Sequence, residues 1–166
     1  MLLPTGERVY EELWDPMQRI LTPSQLETLV FVDLVVRGNP TVRRPDIYPA
    51  QQERLRPIED DEQTIEEEVL ELARRARLFK RILEASREES PAIRVALIRL
   101  QTWAASTTYP ILLHLFDLLD RAKCTEDEVV EAIGYIEGFL VRRMIARVPT
   151  NNLKQDLQRT ILPVAE

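Results

Sequence analysis

The sequence predicts an all-α fold, a helical bundle or orthogonal array of about six to seven helices in a single helical domain spanning 1–166. Three observations carry that expectation. Apolar residues recur at helical spacing over most of the chain, most cleanly at Ile65, Val69, Leu72, Ala76, Phe79 and Leu83. Helix-start signatures stand before several such segments: Thr22-Pro23, Ser90-Pro91, and Thr125 with Glu128 three residues on. No segment reads as a confident strand with a partner, and the 11 prolines fall mostly between the periodic segments, as punctuation.

Taken in order, Glu7 to Leu21 places Val9, Leu13, Trp14, Met17, Ile20 and Leu21 at helical spacing, with Pro16 predicting a kink or break near Asp15. Thr22 is an N-cap followed by a proline at the first helical position, and the helix it opens runs to about Arg37 and stops at Gly38. Its run Leu29 to Val36 is rich in β-branched residues, so a strand competes here; the cap decides for the helix. Residues 38–58 hold Pro40, Pro45, Pro49 and Pro57 and read as a Pro-rich loop, with at most one short helix around Ala50 to Leu55. Arg37, Arg43, Arg44, Arg54 and Arg56 outnumber Asp46 and Glu53, so the loop is locally positive. The clearest helix follows, from the acid-rich Glu59 to Glu71 into the base-rich Arg74 to Arg81, a polarity that complements the helix dipole. Its apolar seam belongs in a core, or in the interface of a homo-oligomer.

Ser90-Pro91 then starts a helix with Ile93, Ala96, Leu97, Leu100, Trp103 and Ala104 inward. Pro110 opens a helix that is apolar over most of its surface, which places it at the centre of a bundle. The capping box at Thr125 opens the next, with Val129, Ile133, Ile136, Leu140 and Met144 on one face and Pro149 ending it. An amphipathic stretch with Leu153, Leu157 and Ile161 closes the chain.

Composition excludes much chemistry. The net charge is −6, which argues against a generic nucleic-acid coat. A single Cys and a single His leave no internal disulfide, no Cys-based zinc site and no His-pair metal site. The 4 glycines do not cluster into a phosphate-cradling loop, and no cofactor is expected. No run suits a membrane span, and Met1 to Gly6 lacks the features of a signal peptide, so the expected setting is cytoplasmic.

Four features invite a functional reading, each beside a plainer one. His114, Asp117 and Asp120 share one strip of a helix, a partial cation site or simply its polar edge. Cys124 precedes a helix N-terminus beside Lys123, both of which lower a thiol pKa, but an ordinary cysteine is the simpler reading. Gly134 and Gly138 spell GxxxG, which among charged neighbours reads as close approach of another helix backbone. Glu137 falls between two apolar arcs of its helix, so a partly buried carboxylate is expected, paired with an arginine from another element.

One stretch goes beyond amphipathicity. Glu137, Gly138, Leu140, Val141, Arg142, Arg143, Pro149, Thr150, Asn152 and Leu153 give an acid and small residue, an aliphatic pair, Arg-Arg, then Pro-Thr and Asn-Leu. This order resembles a signature of the GmrSD-type restriction proteins, which attack modified phage DNA. Tyr109-Pro-Ile-Leu-Leu, and more thinly Glu12-Leu-Trp-Asp-Pro, look like further pieces of the same family, the closest likeness covering 109–153. Members carry a nucleotide-hydrolysing domain with an Asp-Gly-Gln-Gln-Arg motif, then helices, and often an HNH nuclease. This chain has neither that motif nor the histidines an HNH site needs, so no catalytic residue is carried over.

The resemblance therefore implies the helical middle region, as a fragment or reduced form of a larger multidomain protein. The expected function is a non-catalytic helical linker that couples a nucleotide hydrolase to a nuclease; a free-standing helical interaction module is the alternative. The named residues are then structural, with Arg142, Arg147 and Lys154 as the candidates for DNA contact and Arg143 at the core edge.

Overall fold

The computed structural model describes residues 7, 9–103, 106–148 and 157. Among them are seven α-helices and no strand: α1 (Asp15–Ile20), α2 (Pro23–Val36), α3 (Ile47–Leu55), α4 (Glu62–Leu83), α5 (Pro91–Gln101), α6 (Tyr109–Asp120) and α7 (Glu126–Ile145). The all-α expectation holds. The chain gathers into two compact units, 1–80 and 81–166, divided near the end of α4. No helix among the described residues is long and apolar enough to cross a membrane.

In the first unit a π-helical turn, Tyr10–Trp14, runs on into α1 with helical dihedrals at Trp14 and Asp15, so a change of helix type stands where a kink or break was expected. Pro16 sits in the first turn of α1, where its missing N–H has no helical partner to lose. Helix α2 begins in a capping box: the Gln25 N–H donates to Thr22 Oγ1 at 3.3 Å, and the Thr22 N–H donates to Gln25 Oε1 at 2.9 Å. That nucleus overrides the β-branched composition of the run it precedes. The helix ends before Gly38, whose φ of +102° suits a residue without a Cβ. Leu29, Phe31, Val32, Leu34 and Val35 are all buried, so α2 is covered on nearly every side in its last two turns.

The 38–58 segment is more helical than a loop. Helix α3 starts at Ile47, three residues before the expected Ala50, and short 3-10 turns flank it at Arg44–Asp46 and Arg56–Ile58. Pro49 is the third residue of α3, where a proline is still tolerated because the first helical N–H groups have no partner. The local positive charge is largely taken up. Arg54 donates to Glu68 at 2.8 Å, Arg37 reaches Glu68 at 3.0 Å, and Arg44 stacks over Phe31 at 5.7 Å.

The seam of α4 is core, but not along its whole length. Leu72, Ala76 and Phe79 are buried, while Ile65, Val69 and Leu83 are half-buried. The buried stripe is also wider than a single seam, taking in Ala73, Arg75 and Leu78.

In the second unit, α5 begins at Pro91 as expected, but Ser90 does not cap it with its side chain. The Ser90 hydroxyl instead donates to Glu126 Oε2 at 2.6 Å, joining the start of α5 to the start of α7. Trp103, expected inward, lies beyond the end of α5 and is 37% exposed; Ala104 lies outside the described residues. Helix α6 buries Leu112, Leu113 and Phe116, whereas Ile111 and Leu115 on another side are only half-buried, so it is not covered all round. The Thr125 capping box of α7 forms as read. The apolar face of α7 is buried at Val129, Ile133 and Ile136, but Leu140 is half-buried and Met144 is exposed, so the expected core stripe fades towards Ile145. Below α6, Glu88 accepts from Arg81 through both oxygens at 2.8 and 2.9 Å, and Arg81 stacks over Phe116 at 5.0 Å.

Candidate functional site

Of the residues that carry the resemblance, Glu137, Gly138, Leu140, Val141, Arg142 and Arg143 sit on α7, and Glu137 is tied across to a neighbouring helix. Its carboxylate accepts from Arg99 Nε of α5 at 3.1 Å, and also from Arg99 Nη2. An arginine from another element is the partner the helical wheel calls for. The Arg99 hydrogen bond holds the Glu137 carboxyl below the usual carboxylate range; burial opposes this, while the Arg99 charge and a hydrogen bond from Trp103 reinforce it. The pair is not a dry anchor, however. The Glu137 side chain is 19% exposed but that of Arg99 is 57% exposed, so water screens the contact.

Around this pair the other named residues divide. Arg142 is exposed and folds back along its own helix, its guanidinium near Gly138. Arg143 is half-buried, stacks over the Phe139 ring at 5.5 Å, and forms part of the wall of an apolar groove. Arg147 is exposed just past the helix end, at φ +51°. Pro149, Thr150, Asn152 and Lys154 lie outside the described residues.

The GxxxG expectation is overturned. A Cβ built at Gly134 meets nothing within 4 Å, and one at Gly138 first meets Arg142 of the same helix at 3.5 Å. Among the described residues no second backbone lies against either Cβ position, so close packing of a described helix is not what these glycines serve. For Cys124 the lowered thiol pKa is overturned, in keeping with the plainer reading of an ordinary cysteine. Its thiol is pushed up, first by burial and then by the charge of Glu128. Glu128 is the far end of the capping box, so a residue that builds the helix N-terminus also disfavours the thiolate.

His114 and Asp117 are buried while Asp120 is exposed, so the three are not one solvent-facing strip. Asp117 accepts from Arg121 Nε at 3.0 Å. Among the described residues no group of three or more His, Cys, Asp or Glu side chains is placed to hold a metal ion.

Sequence reasoning missed a buried charge cluster in the first unit. Asp33 on α2 is 1% exposed and accepts from Arg75 of α4 and from Arg37 Nε at 2.9 Å. Arg75 also donates to Glu71 at 3.1 Å, and Arg37 and Arg54 converge on Glu68. Burial raises the Glu68 pKa, but the Arg54 hydrogen bond and the two arginine charges outweigh it, leaving the carboxyl below its ordinary value. The signal was present in the sequence as one acid inside a run of eight residues that is otherwise apolar, Leu29 to Val36. Beside the cluster is a cavity of about 270 Å³ with Trp14, Val30, Leu55, Ile65 and Val69 in its walls.

Compared with models of known protein families, with curated proteins and with solved structures, the chain matches none.

Proposed function

We propose that this chain is a non-catalytic, cytoplasmic helical coupling domain of a phage-defence restriction system that acts on modified DNA. Its partners are the nucleotide-hydrolase and nuclease domains of that system. Two things support the reading: the resemblance over 109–153, and the way α7, the helix that carries its acid and arginines, is fastened to its neighbour. The Glu137–Arg99 pair is the observation that carries it. A half-exposed ion pair adds little to stability yet fixes the register of two packed helices, which suits a contact that transmits a displacement.

The experiment expresses the gene with its neighbouring coding sequences and challenges the host with phage of modified DNA. Glu137→Gln and Arg99→Gln each weaken restriction while barely moving the melting temperature of the purified chain. The double exchange Glu137→Arg with Arg99→Glu recovers part of it. Full restriction by both single variants removes the reading. A second reading, a free-standing helical interaction module, is favoured by the apolar groove on α6 and α7. Coding sequence for a nuclease and a nucleotide hydrolase beside this segment decides for the first.

A further inference from the structure

The cavity of about 270 Å³ in the first unit takes its apolar wall from four elements: Trp14 from the π-helical turn, Val30 from α2, Leu55 from α3, and Ile65, Val69 and Leu72 from α4. Ile65 and Val69 are seam positions of α4 that the core leaves half-buried, and they border this space instead. Apolar walls offer a water few of the hydrogen bonds it needs, so an apolar body is the better occupant. Size limits that body. A cavity of about 150 Å³ takes a benzene ring, so this one takes about eleven non-hydrogen atoms, a single ring with a short polar tail.

The polar part of the wall, Asp33, Gln51, Arg54 and Glu68, selects the tail. Its carboxylates are taken. Asp33 accepts from Arg37 and Arg75, Glu68 Oε2 from Arg54 at 2.8 Å, and Glu68 Oε1 from Arg37 at 3.3 Å. Donors remain. Arg54 spends Nη1 on Glu68 and Nε on Gln51 Oε1 at 3.4 Å, so Arg54 Nη2 and the Gln51 amide nitrogen have no partner among the described residues. Charge points the same way: in this network Arg37, Arg54, Arg74 and Arg75 outnumber Asp33, Glu68 and Glu71 by one. A cation would meet acceptors already committed to arginines, whereas an anion meets spare N–H groups and a surplus positive charge.

We propose that this cavity binds a small carboxylate with a single-ring apolar body, the ring among Trp14, Leu55 and Val69 and the carboxylate on Arg54 and Gln51. Arg54 supplies the charge and Gln51 a second donor. The site is independent of the coupling function, and either can fail without the other.

Isothermal titration calorimetry of the full chain tests this, with phenylpropionate as the probe and phenylpropionamide, its neutral isostere, as the comparison. The acid binds at one site per chain, at least about tenfold more tightly than the amide. Its binding also shifts the emission of Trp14, read in a chain carrying Trp103→Phe so that no other tryptophan contributes. Arg54→Gln brings the acid down to the affinity of the amide. Val69→Phe fills the cavity and abolishes binding of both. Circular dichroism identifies a variant that has not folded, and Ile65→Phe takes the place of Val69→Phe in that event. Absence of binding by the wild-type chain overturns the proposal, as does equal affinity for acid and amide. Wild-type binding by a folded Val69→Phe or Ile65→Phe also overturns it, because the acid then sits elsewhere.

Discussion

Replacing Asp33 with alanine removes a carboxylate that is 1% exposed and joins α2 to α4. Two charge-assisted hydrogen bonds go with it, one from Arg37 Nε at 2.9 Å and one from Arg75. Bonds of that kind contribute about 1.5–3 kcal/mol each, and breaking a buried pair costs about 3–5 kcal/mol. Neither arginine is stranded, because Arg37 retains Glu68 at 3.0 Å and Arg75 retains Glu71 at 3.1 Å. The loss therefore falls in the lower part of the range, at about 3–4 kcal/mol. At about 2–4 °C per kcal/mol for a chain of this length, Asp33→Ala lowers the melting temperature by about 6–16 °C. The control is Asp15→Ala, which breaks the Arg19–Asp15 pair, where Arg19 is 76% exposed; that change costs under about 1 kcal/mol. Thermal unfolding of both variants followed by circular dichroism compares them directly. If Asp33→Ala melts within the range of Asp15→Ala, the buried cluster does not hold α2 to α4 and the reasoning from burial fails.

Phe79→Ala costs about 3–5 kcal/mol, since the ring is fully buried; an unchanged melting temperature with lost self-association would instead make the α4 seam an interface between copies. Stability falls on acidification through the paired carboxylates. Burial raises the Glu88 pKa, but the Arg81 hydrogen bonds and charge and the Ser90 N–H outweigh it, so its folded pKa is below its unfolded one. Its contribution is then full above the ordinary glutamate value of about 4.3 and is lost as pH falls through the lower folded value. Unfolding titrations from neutral pH downwards show this decline, and Glu88→Gln makes the acid limb shallower. Any affinity for duplex DNA rests on the exposed Arg142 and Arg147 against the repulsion of a chain at −6, so it is weak, lost with added salt and reduced by Arg142→Ala. A salt-titrated binding assay in which Arg142→Ala matches wild type counts against contact at that residue.

What could be read from the sequence was what neighbouring residues decide. Thr22 with Pro23, Thr125 with Glu128, and Gly38 set helix starts and stops through bonds spanning a few residues. The helical wheel placed Glu137 beside another element because one helix's own apolar arcs fix that direction. Which element supplied the arginine, and how exposed that arginine remained, depended on α5, 38 residues away in the chain. Asp33 was illegible for the same reason: its role is defined by Arg75, 42 residues on. Proline density concealed the first turn of α3, because a proline in a first turn and a proline in a loop look alike in sequence. At Cys124 only the direction of the thiol shift was missed, by counting the helix N-terminus and Lys123 while omitting burial and Glu128, which raise it.

Asp33 also has a consequence for the phase of α2 about its own axis. From Leu29 to Val35 this helix is apolar in nearly every direction, and the hydrophobic effect has no orientation. Turning the segment by one residue's angle would exchange one aliphatic surface for another of similar worth. The acid breaks that degeneracy, because Arg37 turns with α2 while Arg75 belongs to α4, and only one azimuth brings the carboxylate to Arg75. A single polar side chain thus acts as the key that indexes an otherwise featureless cylinder, much as a lone buried asparagine sets register in a coiled coil. Asp33→Leu would then keep the helix and its burial while allowing several rotational settings, visible as broadened methyl resonances of Leu29, Val32 and Val35 in a chain that remains folded.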